Sequence, residues 1–484
     1  MRAAEKYLTG ATVFLCALLV VPATLTARTI TVDDDGPADF NNVQAAIDDS
    51  ADGDSVIVEQ GTYSGPGNRD IDFNGKAITV RSIDPDDPNI IAATVIDITG
   101  VPGDVFCGFR FQSGEDTRSV LSGFTIANTA MGEDSGARGI DCIQSSPTMT
   151  NCTITGMQSA YDGMMYAGGG GMRVKNGSPT LIGCTFSGND GGFAPSAGGP
   201  AAGGLDNDGG NPTLIDCTFR ENTCRGAGGV SNSGYATLTG CSFLDNFGGA
   251  AGALFNSGTV TLNNCTFHGD HADMEPLAVG NHGTLAATGC IFARCYAISN
   301  RSWGGTGGLA DISNCTFADV EPAIHCFGGM ATLRNCILWT HWTIRPMIEG
   351  DCTDSLSVEY SNVMEGWPGQ GNINIEPLFV NPENGDYHLK SQAGRWDPNS
   401  NAWVQDDVTS PCIDAGDPLS PIGSEPFPNG GIVNMGAYGG TTEASKSWFD
   451  KPVCDTIVAG DINGDCVVDH LDFALLARQW LREE

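Results

Sequence analysis

Along most of the chain, apolar and polar residues alternate in short runs rather than at helical spacing, and the runs repeat. The phrase Thr-Met-Thr-Asn-Cys-Thr-Ile at 148–154 returns as Thr-Leu-Ile-Gly-Cys-Thr-Phe at 180–186 and Thr-Leu-Ile-Asp-Cys-Thr-Phe at 213–219. It returns again as Thr-Leu-Thr-Gly-Cys-Ser-Phe at 237–243 and Thr-Leu-Asn-Asn-Cys-Thr-Phe at 261–267. Looser copies surround Cys290, Cys315 and Cys336, and Phe124 and Ser361 hold the same slot at the two ends. Successive slots lie 28, 32, 33, 24, 24, 25, 25, 21 and 25 residues apart. Alternation sends every second side chain inward, and one such repeat cannot bury its apolar face alone. A period near 24 therefore predicts a solenoid with one coil per repeat, each coil holding three short strands and three turns. The residue ahead of each cysteine is Asn151, Gly183, Asp216, Gly240, Asn264, Gly289, Asn314 or Asn335. All are types that tolerate a left-handed backbone, so a tight turn is expected there.

A second column runs upstream of the first: Gly139-Ile140, Gly171-Met172, Gly204-Leu205, Gly229-Val230, Ala253-Leu254, Ala278-Val279, Ala297-Ile298 and Ala323-Ile324. Two residues after the apolar member come Asn207, Asn232, Asn256, Asn281 and Asn300, with Cys142, Val174 and Cys326 outside that block. Asparagines at one coil position predict a side-chain hydrogen-bond ladder along the stack. At the start, Ile30-Thr31-Val32 and 55–58 read as strands, and 40–47 has an amphipathic helical pattern. Such a helix would cover the open end of the first coil, which otherwise exposes apolar interior and strand edges.

The repeat resembles the right-handed parallel β-helix of the pectate-lyase-like proteins, over roughly residues 29–380. The expected class is all-β, a right-handed parallel β-helix solenoid. That fold hosts lyases, glycosidases, adhesins and inert spikes, so it does not name an activity. Composition agrees. Glycine supplies 66 of 484 residues, which suits turns and disfavours a helical bundle. Asp and Glu number 58 against 23 Lys and Arg, a net charge of −35, and this field argues against nucleic-acid partners.

The first residues read as a bacterial-type secretory signal over 1–27: Arg2 and Lys6, an apolar run over 11–21, Pro22, and cleavage after Ala27. No later stretch approaches the ~18 apolar residues of a membrane span. The mature chain is expected to be secreted or on the cell surface, in an oxidising compartment. Of 18 cysteines, Cys16 lies in the signal. Eight others occupy the repeat slot, and a buried ladder of small apolar thiols is the reading, because parallel side-chain vectors suit disulfides poorly. Cys454 and Cys466 form the candidate disulfide pair. Cys224, Cys295, Cys352 and Cys412 are left unassigned.

Residues 376–450 read as an irregular closing segment, with 376–440 resembling the segment that ends bacterial secreted β-helix proteins of the anchored type and Ser445 to Lys451 as a linker. In the tail, 454–484, residues 461–472 read Asp-Ile-Asn-Gly-Asp-Cys-Val-Val-Asp-His-Leu-Asp. Oxygen donors fall at loop positions 1, 3, 5, 9 and 12 in Asp461, Asn463, Asp465, Asp469 and Asp472, with the Val467 carbonyl at position 7. Calcium takes six to eight hard oxygens from such a loop. A helix bearing Phe473, Leu475, Leu476 and Trp480 follows. The segment resembles one repeat of a type I dockerin, which implies Ca2+ and a cohesin-like or other cell-surface anchor as partner. It departs in having Cys466 at position 6, in place of glycine, and in being single.

Two coil spacings, 32 and 33, are enlarged, at 157–170 and 188–203. These loops carry Tyr161, Tyr166 and Phe193, candidate stacking platforms for sugar rings. Beside them, the outward members of the second column are Asp141, Arg173, Asp206, Ser231, Phe255, Gly280, Ser299 and His325. The next outward positions give Lys175, Asp208, His282 and Arg301. Asp141, Arg173, Lys175, Asp206 and Asp208 thus fall on three adjacent coils. One reading is a lyase site, with aspartates holding calcium against a uronate and Arg173 or Lys175 as general base. Another is a glycoside hydrolase with Asp206 and Asp208 as acid and base. A third is a cross-strand salt-bridge ladder on a solvated face. Polygalacturonase signatures, a Gly-x-Ser-x-Gly motif and a nucleotide loop are all missing from the sequence. The expected function is binding or cleaving of extracellular polysaccharide; the competing class is a non-catalytic, adhesin-like solenoid.

Overall fold

The computed structural model describes residues 27–99, 105–129, 136–158, 170–192, 201–273, 277–303, 306–341, 345–351, 355–449, 460–463 and 467–480. The signal region, Tyr161, Tyr166, Phe193, Cys454, Asp465 and Cys466 lie outside them.

The alternating runs form three long ladders. Sheet 1 has 13 strands, from Thr29–Val32 to Leu356–Glu359. Sheet 2 has 12, of which 11 form the ladder from Ile71–Asp72 to Ile348–Gly350 and one, Thr306–Gly307, pairs antiparallel beside it, and sheet 3 has 12, from Gly61–Ser64 to Asn362–Val363. A representative coil runs Val230–Asn232 in sheet 2, Tyr235–Thr239 in sheet 1 and Ser242–Leu244 in sheet 3. Each strand pairs in parallel with its equivalent one coil on, in register with the repeat. All eight residues ahead of the slot cysteines have positive φ, from 48° at Asn314 to 66° at Gly289. The turn between sheets 1 and 3 is therefore one left-handed residue, as the sequence predicts.

The interior is columnar. Phe186, Phe219, Phe243, Phe267, Phe292 and Phe317 are fully buried and stack ring on ring, with centroids 4.6 to 5.0 Å apart. That spacing is the strand spacing itself, so the rings inherit their offset stack from the ladder. The slot cysteines are buried and free of disulfides, each Sγ facing backbone carbonyls, as in Cys241 to Leu214 and Thr239 at 3.6 Å. The predicted asparagine ladder is present: Asn207, Asn232, Asn256, Asn281 and Asn300 are linked side chain to side chain at 2.6 to 2.8 Å. A second ladder, not foreseen, joins Asn189, Asn222, Asn246 and Asp270 at 2.8 to 3.0 Å.

At the entry, the helix Val43–Asp49 buries Val43, Ala46 and Ile47 over the first coils, with Asn42 capping it by accepting from the Ala45 N–H. At the exit, the closing segment forms two short antiparallel hairpins, Phe379–Asn381 with Asp386–Leu389 and Arg395–Asp397 with Ala402–Val404. Phe379, Tyr387, Leu389, Cys412 and Met435 make a small second core against Ala293, Ala318 and Ile337 of the coils. Ser445 and Ser447 differ from the linker expectation. Both are buried, bonded to the Leu389 carbonyl and to Asp414, so the cap stays packed through Ser447. No helix among the described residues is long and apolar enough to cross a membrane.

Candidate functional site

Sheet 2 places the predicted outward column in one continuous ladder. Asp141 pairs with Arg173, Arg173 with Asp206 and Lys175 with Asp208. The series then runs through Ser231, Phe255, Gly280, Ser299 and His325, in the order read from the sequence. It also extends the other way, to Arg110 and Asp72. Five successive coils thus present Asp72, Arg110, Asp141, Arg173 and Asp206, alternating in sign. The frame Gly108-Phe109-Arg110-Phe111 repeats Gly139-Ile140-Asp141-Cys142, so Arg110 was legible in the pattern.

Arg138 was less accessible to sequence reasoning. It takes the place that Gly170, Gly203, Gly228 and Gly252 hold in the following coils, where an added Cβ would run into backbone atoms. The break in that glycine column is its only signal. Its guanidinium is buried and lies 3.4 Å from Asp141, which is 5% exposed. Arg173 approaches the same carboxylate through Nε and a terminal nitrogen, both at 2.9 Å. A buried carboxylate between two arginines is a charge-satisfied unit, and loss of one partner would leave an uncompensated buried charge. Arg110 is bonded instead to Asp70, at 2.8 Å and 3.0 Å.

Asp206 sits beside this unit. Burial pushes its carboxyl up to about 6; the Asp208 charge adds to the rise, and Arg138, a Ser231 hydrogen bond and Arg173 oppose it. Asp208 is exposed and Lys175 half-exposed, 3.9 Å apart, a weakly coupled surface pair. Asp206 and Asp208 lie on one face of Leu205–Asp208, with Cα atoms ~6.6 Å apart for a strand of that rise. The structure thus gathers Asp141, Arg173, Lys175, Asp206 and Asp208 with Arg138. His282 lies apart, 5.0 Å from the Phe255 ring, with burial lowering its pKa.

In the tail, the helix His470–Trp480 follows the acidic turn. Asp461, Asn463 and Asp472 are 5, 5 and 2% exposed. Asp472 accepts the backbone N–H groups of Ile462 and Asn463 on Oδ1 and of Asp469 on Oδ2, which keeps its carboxyl below the usual range, the Asp469 bond contributing most. Position 12 of the loop is thereby drawn back onto positions 2, 3 and 9. Leu475 packs on Gly431, whereas Phe473 and Trp480 are exposed.

Comparison with known proteins gives two family matches. Residues 103–341 match the model described as "Right handed beta helix region", and residues 329–416 match "Disaggregatase related". No curated protein matches the chain by sequence. Among solved structures, pectate lyase Pel9A is similar at 14% identity over 85% of this chain and 96% of its own, with a TM-score of 0.46. A rhamnogalacturonan lyase is similar at 12% identity over 80% and 96%, with a TM-score of 0.41. An alginate lyase from Paenibacillus sp. str. FPU-7 is similar at 11% identity over 68% and 99%, with a TM-score of 0.40. Three parallel ladders in register with a 24-residue repeat, together with the match over 103–341, make this chain a right-handed parallel β-helix.

Proposed function

We propose that the protein is a secreted, carbohydrate-associated β-helix that binds an extracellular polysaccharide across sheet 2 and cleaves it at the coils of Arg173 and Asp206. One observation carries this reading. Asp206 and Asp208 share a strand face, and burial pushes Asp206 up to about 6 while Asp208 is exposed. Two carboxyls in unlike environments are the requirement for paired acid and base work. Asp206 would donate a proton to the leaving glycosidic oxygen, and Asp208 would take one from the attacking water. Arg173 and Arg138 hold Asp141 and set the positive field behind Asp206. Asp141, buried and held by both arginines, serves to position them rather than to touch substrate, and Tyr161, Tyr166 and Phe193 complete the proposed substrate contacts.

A β-elimination reading rests on Lys175, the half-exposed amine beside this pair, as the base. Arg173 is bonded to both Asp141 oxygens and fits a positioning role better than a proton-abstracting one. The ion-paired ladder itself favours the competing class, a rigid non-catalytic surface rod. A panel of pectate, pectin, alginate and neutral glycans, with and without calcium, separates the three. New reducing ends lost in Asp206→Asn support hydrolysis. Products absorbing in the ultraviolet and lost in Lys175→Ala support elimination. Neither product nor glycan retention overturns the carbohydrate reading in favour of the rod.

We further propose that the tail binds Ca2+ through Asp461, Asn463, Asp465, the Val467 carbonyl, Asp469 and Asp472. Buried carboxylates in a chain of net charge −35 fit a hard cation, and Asp472 already closes the turn. Bound calcium would supply the charge that holds this acidic turn shut, leaving the exposed Phe473 and Trp480 for a cohesin-like or cell-surface partner. Calorimetry should show calcium heat that Asp461→Ala abolishes; an unchanged isotherm rejects the motif.

A further inference from the structure

Roughly four strand spacings along the axis from Asp206, or ~19 Å, a groove of about 1150 Å³ opens on another side of the coils. Its floor is the stacked turns that leave sheet 3, with Arg294 and Asp319 at equivalent left-handed positions, φ 53° and 52°. Its wall is the closing hairpin around Phe379–Asn381, together with Lys390. Floor and wall are fastened together: Arg294 donates to the Glu383 carbonyl at 2.7 Å, and Phe379 and Tyr387 of the hairpin share a buried cluster with Ala293 and Ala318 of the coils. The cavity is therefore preformed, and its size suits an oligosaccharide-sized ligand.

The chemistry of the lining is uneven. Asp319 is taken up by His341, accepting from its backbone N–H at 3.1 Å and standing 3.0 Å from its Nδ1. This fixes the ring and turns Nε2 away from Asp319. By contrast, the His271 ring, the Tyr296 hydroxyl and the Lys390 ammonium have no hydrogen-bond or ion-pair partner among the described residues. Two of the seven histidines and two of the 23 bases of a strongly acidic chain meet in one groove. Glu321 and Glu383 also line it. A ligand that offers an anionic group to Lys390 and Arg294 answers the basic side of this lining. The Arg345 guanidinium stands 5.8 Å from the Tyr296 ring centroid, so the ring already meets a cation of the chain and the hydroxyl is the group left for a ligand.

We infer that this groove is a second binding site, for an acidic oligosaccharide carrying a carboxylate or a sulfate. It shares the ligand class of the sheet 2 reading but none of its residues. The test is calorimetry on the full chain carrying Arg173→Ala and Lys175→Ala, which weakens the sheet 2 face. The probes are trigalacturonate, a sulfated galactan trisaccharide and a neutral galactan trisaccharide. One of the two acidic probes should still bind, and adding Arg294→Ala with Lys390→Ala should weaken it at least ~tenfold with the melting profile retained. The preferred probe tells carboxylate from sulfate. No binding of either acidic probe, equal binding of the neutral one, or affinity unmoved by the Arg294 and Lys390 changes would overturn the inference. Failure of the sheet 2 reading alone would leave these titrations unaffected.

Discussion

At the residue scale, Asp270 shows how a ladder position sets a proton's affinity. In the three coils before it, the asparagine amide at this place donates to a backbone carbonyl: Asn189 to Ile154, Asn222 to Phe186 and Asn246 to Phe219. The equivalent acceptor for Asp270 is Phe243, but a carboxylate cannot donate. Its Oδ2 is buried without a partner, and burial pushes the carboxyl up to about 7. Asp270→Asn should restore the missing donor and raise stability by on the order of 2 kcal/mol at pH 8, and by less at pH 5, where Asp270 is protonated. Thermal melts at both pH values check this; a loss of stability at pH 8 would refute it. Asn189, Asn222, Asn246 and Asp270 each stand five residues past a slot cysteine, so the register of this second ladder was also written in the repeat, and only the missing donor at Asp270 needed the structure. The first was legible because five asparagines share one register.

At the scale of elements, strand and turn were written in the repeat. Thr237-Leu238-Thr239 followed by Gly240 and Cys241 specifies a period-two strand and a left-handed corner, and both are found. What the repeat does not specify is how neighbouring copies add. The phenylalanines at the third position past each corner become a six-ring stack only because the coils stay in register. Phe243, inside that stack, should be the costlier loss: Phe243→Ala is expected to destabilise by ~3–5 kcal/mol, a cavity closed in by rings on both sides. The same change at exposed Phe247 should cost far less; chemical denaturation of the two variants compares them directly. The slot cysteines give a second check. Being buried, they should resist a thiol reagent in the native protein and react on unfolding. Prompt native labelling of Cys241 would contradict the packed column.

For the whole molecule, charge and burial act in the same direction. Burial pushes Asp206 and Asp414 up to about 6 and Glu425 and Asp270 up to about 7. Groups raised on folding lend stability at low pH that is lost as pH rises through their folded values. Hydrogen bonds hold Asp54, Asp97 and Asp472 below the usual carboxylate range, and their contribution is lost as pH falls through it. Stability should therefore peak in mildly acid solution and decline toward pH 8. Salt should recover the part due to the net charge of −35 and not the part due to burial. A melting temperature that rises from pH 5 to pH 8 would contradict this account. The sequence alone determined the coil, its corners, the inward columns and the order of residues along sheet 2, because each follows from local alternation and from a repeat that stacks on itself. Only the tertiary structure decided that Arg138 and Arg173 close on Asp141, that Asp206 is left beside them with a shifted proton, and that the closing hairpin turns a row of turns into a groove. Those outcomes depend on distances between coils and on what the cap covers, which no repeat encodes.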